Sequence, residues 1–193
     1  MKYLRSLSNE IVLGTLVALL SVFTALASYQ VSTADSKQNE HEILGMQLLN
    51  DGNVEAQTAT QWIMYDFSLF DGFMTSESES FNEDYYLVNF SDELNNAIVA
   101  NPDAPFSTEY YDAMYALADE IYAEADANFE LADQWDNRGD GLQLVMLIMA
   151  LGLAFAAWAS LLKEESNMRM VFALFALLTL VVGLLTYVGV PTV

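Results

Sequence analysis

The chain has 193 residues, of which 54% are apolar, yet its formal net charge is −21 and it contains no cysteine. A surface this negative repels the phosphate backbones that nucleic-acid binding must neutralise, which argues against DNA or RNA as a partner. Lack of cysteine removes disulfides, thiolate nucleophiles and cysteine-ligated zinc or iron–sulfur sites. The apolar and acidic properties separate along the chain. Segments 11–34, 141–162 and 170–193 carry no charged residue, whereas 29–141 holds 24 of the 27 acids and two bases, Lys37 and Arg138. Such an acid excess also suits a salty environment, where carboxylates hold a hydration layer.

In chain order, residues 1–10 read as a short cytoplasmic N-terminus and 11–29 as a first membrane span. Lys2, Arg5, the apolar run and Ala25-Leu26-Ala27 have the outline of a cleavable signal peptide. Glu10 interrupts that outline and the uncharged run continues to Ala34, which favours a retained span. Residues 30–141 form an acidic extracytoplasmic domain. Its first helix continues the span to about Asn50, with Asp51-Gly52-Asn53 as a turn. A second helix follows with Ala59, Trp62, Tyr65, Leu69 and Phe73 on its apolar face. "TSESESFNED", residues 75–84, has loop composition, and "YYLVNFSDELNNAIVA" reads as one short helix. Pro102 and Pro105 end that segment. Ser107 is the expected N-cap of a longer helix, with Glu109 in its first turn. Tyr110, Met114, Leu117, Ile121, Ala125, Ala132 and Trp135 would form one face, widened by Tyr111, Tyr115 and Tyr122.

A bilayer core needs about 20 apolar residues as helix. Residues 142–162 and 170–190 each supply such a run, joined by a cytoplasmic turn at 163–169, and 191–193 end outside. Lys2, Arg5, Lys163 and Arg169 then share one side, as cytoplasmic loops require. The expected fold is therefore all-α: three transmembrane helices and an antiparallel helical bundle outside the cytoplasm, in the cell membrane.

Several stretches invite a chemical reading. Asp136, Asp140 and Gly141 match positions 1, 5 and 6 of a calcium loop, but position 3 is Arg138 and position 12 is Leu147. Helix exit, a glycine turn and membrane entry explain the same residues, leaving Asp136 and Asp140 as weak metal candidates. Glu120/Glu124 and Asp126/Glu130 could hold a cation on a helix face. A di-iron bundle, however, needs two Glu-x-x-His motifs, and the one histidine, His41, lies in none. No nucleophile–base pair, glycine-x-serine-x-glycine elbow or phosphate loop is present, so neither enzymatic activity nor a cofactor is expected. None of the spans has an ionisable residue of the kind that transport requires. Gly152, Ala156 and Ser160 make a small-residue strip, with Gly14 and Ala18 in the first span, suited to packing among the spans or against another subunit.

"ALASYQ", "APFSTEYYDAMYALADEIYAEAD" and "RGDGLQLVMLIMALGLAFAAW" resemble a loose group of uncharacterised prokaryotic membrane proteins. The resemblance implies one N-terminal span, an external helical domain and two C-terminal spans, and carries over no catalytic residue. The expectation is a non-enzymatic assembly, scaffold or accessory subunit whose partners are the bilayer and either itself or another membrane protein. The Tyr111/Tyr115/Tyr122 face would serve domain packing or partner contact. A homo-oligomeric pore with a cation-attracting acidic vestibule and an external divalent-cation sensor are the alternatives.

Overall fold

A computed structural model describes residues 9–76 and 81–193. Among them there is no strand, and five helices follow one another: α1 (Glu10–Thr75), α2 (Phe81–Asn89), α3 (Asp92–Ala100), α4 (Thr108–Leu161) and α5 (Asn167–Val188). Three of these, α1, α4 and α5, contain apolar windows with mean hydropathy of 2.3, 2.3 and 2.5, long enough to cross a bilayer. The fold is all-α and the chain is a multi-pass membrane protein. It divides into two compact units: the chain up to Glu42 with Glu130–Val193, and Ile43–Phe129.

In the first unit, small residues let three helices approach closely. Leu16, Leu20 and Ala27 of α1 pack with Val145, Met149 and Ala156 of α4 and with Ala176 and Leu180 of α5. Leu13, Ala159 and Ala173 form a second cluster. On α5 the buried positions are Arg169, Ala173, Ala176, Leu180 and Gly183, a three-and-four spacing that keeps one stripe inward. The opposite faces carry exposed Leu19, Val22, Leu26, Leu147, Leu151, Val181 and Val182, as lipid contact requires. Arg169 is the buried exception. Its Nη1 donates to the Leu162 carbonyl at 3.0 Å, where the end of α4 leaves carbonyls without helical partners.

The second unit is an antiparallel helical bundle with an aromatic filling. Gly45, Gly52, Ala59 and Asp66 of α1 are buried at intervals of seven residues. Opposite them, α4 supplies aromatic rings at the same interval. A Cβ on Gly45 would lie 2.8 Å from Phe129, and one on Gly52 would lie 2.7 Å from Tyr122. The Tyr122 hydroxyl reaches Asn53 Oδ1 at 2.9 Å, and the Tyr115 hydroxyl lies 3.0 Å from Thr60 Oγ1. Rising α1 numbers meet falling α4 numbers, and a strict seven-residue repeat keeps the seam in register.

This packing overturns the expected turn at Asp51-Gly52-Asn53, where α1 runs on unbroken. Glycine within a helix costs about 1 kcal/mol relative to alanine. Here the missing side chain makes room for the Tyr122 ring, so tertiary contact outweighs local preference. The turn at Asp136–Gly141 is corrected likewise: α4 continues through it, with Gly139 against Ala34 and Asp35 and Gly141 against Val190. The single helix expected over 85–100 is two, α2 and α3, broken at Phe90 and Ser91. Ser91 caps α3 by accepting from Leu94 N at 3.0 Å. Of the expected loop at 75–84, Phe81–Asp84 are helical, and 77–80 lie outside the described residues.

Candidate functional site

The second unit has an unusual charge balance: from Ile43 to Phe129 the sequence has 17 acids and no Lys, Arg or His. Its centre is one of them. Asp66 is fully buried and satisfied by three donors: Ser91 N at 3.0 Å, the Ser91 hydroxyl, and the Tyr110 hydroxyl at 2.8 Å. Burial pushes the Tyr110 hydroxyl well above the usual phenol range, and its hydrogen bond to Asp66 and the charge there add to the shift. Phe70, Phe73, Phe90, Phe106 and Tyr110 surround this network, with Phe106 edge-on to both Phe70 and Tyr110. The network ties α1, the α2–α3 corner and the start of α4 together. At that start Ser107 hydrogen-bonds the Glu109 side chain and holds its carboxyl below the usual range.

Beside the network, α1, the α2–α3 corner and α4 enclose a cleft of about 590 Å³. Ala59, Met114 and Ala118 line its depth, and Ser91 joins it to the Asp66 network. Trp62, Val88 and Leu117 line it while being 47%, 79% and 55% exposed, so large apolar surface meets water there. Glu55, Asp92 and Glu93 rim the same space. An open, largely polar hollow in which exposed apolar side chains sit beside carboxylates can take a partner that is apolar on one side and cationic on the other.

The sequence-predicted site residues fall as follows. Asp136 and Asp140 are exposed one helical turn apart on α4. Among the described residues no group of three metal-ligating side chains is assembled. Gly152 and Ala156 are buried among the spans: a Cβ on Gly152 would collide with Thr179 Oγ1 and come within 2.8 Å of Leu20. Ser160 is not part of that strip; it is exposed and donates to the Ala156 carbonyl at 2.9 Å, while Ala159 takes the inward position. Tyr111 and Tyr115 pack against the aromatic cluster and Tyr122 against Gly52, so this face is turned to the unit's own interior. Trp62 and Tyr65, expected inside, are 47% and 42% exposed, and Ile63 and Asp66 occupy the buried positions.

Sequence reasoning missed Asp66, Ser91, Val88 and the acidic rim. Two signals could have found them: Asp66 falls on the seven-residue series of Gly45, Gly52 and Ala59, and Ser91-Asp92-Glu93 is a helix start. The first unit also holds a polar pair not foreseen, Gln30 Nε2 donating to the Tyr187 hydroxyl at 2.8 Å. Comparison with protein-family models, with curated proteins and with solved structures finds no match.

Proposed function

We propose that the protein is a non-enzymatic membrane-anchored docking subunit whose acidic helical unit stands outside the cytoplasm and receives a basic amphipathic segment of a partner protein. The observation that carries this reading is the cleft itself. Trp62, Val88 and Leu117 offer apolar surface, Glu55, Asp92 and Glu93 rim it, and the unit contains no base to oppose a cationic partner. Desolvated aromatic anchors supply most of the binding energy in such contacts, and rim charges mainly steer association and set its salt dependence. Orientation with the N-terminus in the cytoplasm rests on Lys2, Arg5, Lys163 and Arg169 sharing one side.

The test uses the full chain in lipid nanodiscs and a synthetic helical Lys/Leu peptide. Because any basic peptide is drawn to a chain of charge −21, two equal neutralisations are compared. Asp92→Asn with Glu93→Gln alters the cleft rim; Asp119→Asn with Glu120→Gln alters the exposed face of α4. The rim pair and Trp62→Ala should each weaken binding about tenfold, equivalent to roughly 1.4 kcal/mol, and the α4 pair far less. Equal losses from both pairs, with no effect of Trp62→Ala, would leave only diffuse electrostatics and refute the cleft.

A further inference from the structure

Charge is unevenly distributed around the second unit. The outer face of α4 carries exposed Asp112, Asp119, Glu120, Glu124 and Asp126. The outward face of α1 is different. Ile43, Asn50, Gln57 and Met64 recur every seven residues, and the positions four after each, Val54 and Gln61 among them, complete a stripe from 43 to 68. All eight positions are exposed and none is charged, and the carboxylate of Asp51 flanks them, beside Ile43, Gln47 and Asn50. Ile43, Val54 and Met64 are 57%, 53% and 68% exposed. This is a second four-and-three seam on the helix whose other side already uses the same repeat to pack against α4.

From these observations we infer that the stripe is the contact between two copies of this chain, their α1 helices side by side and parallel. Two facts favour a second copy over another occupant. A homotypic contact doubles every charge it contains, so a chain this acidic pairs with itself most readily through a face whose central positions are uncharged, with Asp51 left at the rim. Asn50, Gln57 and Gln61 carry amides, which both donate and accept, so each can hydrogen-bond its own counterpart across a two-fold axis. Parallel pairing rests on the proposed anchoring of both copies in one membrane, and the cleft plays no part in it. The stripe spans about 39 Å at 1.5 Å per residue. At a width of about 10 Å it offers roughly 400 Å² per copy, half of the ~800 Å² per partner of a standard interface. The pair should therefore form where the bilayer confines and concentrates both copies, and come apart on dilution into detergent.

With no native cysteine, single-cysteine variants report contacts directly. Full-length Ile43→Cys, Asn50→Cys and Met64→Cys are oxidised with copper–phenanthroline in membranes, with Ala123→Cys and Ala127→Cys on the outer face of α4 as controls. The inference predicts a product of twice 21.5 kDa at all three stripe positions, at least tenfold above the controls. Ile43 and Met64 lie about 31 Å apart along α1, so an antiparallel pair cannot link both. Adding Gln57→Glu and Gln61→Glu to Asn50→Cys should abolish its product while leaving the helical circular dichroism unchanged. Linking no better than the controls, a product of another mass, linking at only one end, or a product that survives both glutamates would overturn it.

Discussion

Asp66 is the residue whose removal most directly tests how the second unit is held together. Its two carboxyl oxygens accept from Ser91 N, the Ser91 hydroxyl and the Tyr110 hydroxyl, and none of its surface is exposed. Asp66→Ala leaves these donors facing a cavity. Hydrogen bonds to charged groups contribute roughly 1.5–3 kcal/mol each, and breaking a buried network by removing one partner typically costs about 3–5 kcal/mol. Asp66→Asn keeps the volume and one acceptor. Its amide faces two hydroxyls that can rotate to accept, so the loss should be about 1–2 kcal/mol. The assay is urea unfolding of the full chain in detergent, followed by Trp62 fluorescence in a Trp135→Phe, Trp158→Phe background, which leaves one tryptophan and places it in the second unit. Asp66→Ala should lower the midpoint strongly, and pairing it with Tyr110→Phe should cost less than the sum of the single losses, because both act on one network. An Asp66→Ala variant within about 0.5 kcal/mol of the parent, the range of neutral surface changes, would refute the reasoning.

Other consequences follow from the same geometry. Because folding raises the Tyr110 hydroxyl above its unfolded value, its contribution is fully present below pH ~10 and is lost as the pH rises through the unfolded and then the folded value, with a slope of up to about 1.4 kcal/mol per pH unit. Tyr110→Phe should flatten that alkaline decline in urea titrations between pH 9 and 11. Gly152→Ile should disrupt the three-span unit, since even a Cβ there meets Leu20 and Thr179; a size-exclusion profile and thermal midpoint in detergent equal to those of the parent would count against this packing. Ser91→Ala removes both the α3 cap and a donor to Asp66, and should cost about 1–3 kcal/mol in the Trp62 fluorescence assay.

How much was legible in the sequence depended on the length scale of the signal. The spans and the helical class were plain, because 20 or more uncharged residues in a row leave few alternatives. What sequence reasoning misplaced were the glycines and the faces. Asp51-Gly52-Asn53 has the composition of a turn, yet Gly52 is a notch for a ring 70 residues further on, a contact no local pattern announces. Hydrophobicity alone turns Trp62 and Tyr65 inward, but the seven-residue series of Gly45, Gly52 and Ala59 against α4 sets the phase of the helix and puts Ile63 and Asp66 on the buried side. A buried aspartate offsets nothing in a hydrophobicity count, and its role depends on Ser91 and Tyr110, brought to it from 25 and 44 residues away.

Labelling measures directly whether the membrane-anchored chain holds its acidic unit away from the cytoplasm. Single cysteines at Asn101, between α3 and α4, and at Glu164, in the turn between α4 and α5, are treated in intact cells with a membrane-impermeant maleimide. With the acidic unit outside, Asn101→Cys should label in intact cells, whereas Glu164→Cys should label only after lysis. Labelling in the reverse order, or of both positions before lysis, would contradict that orientation.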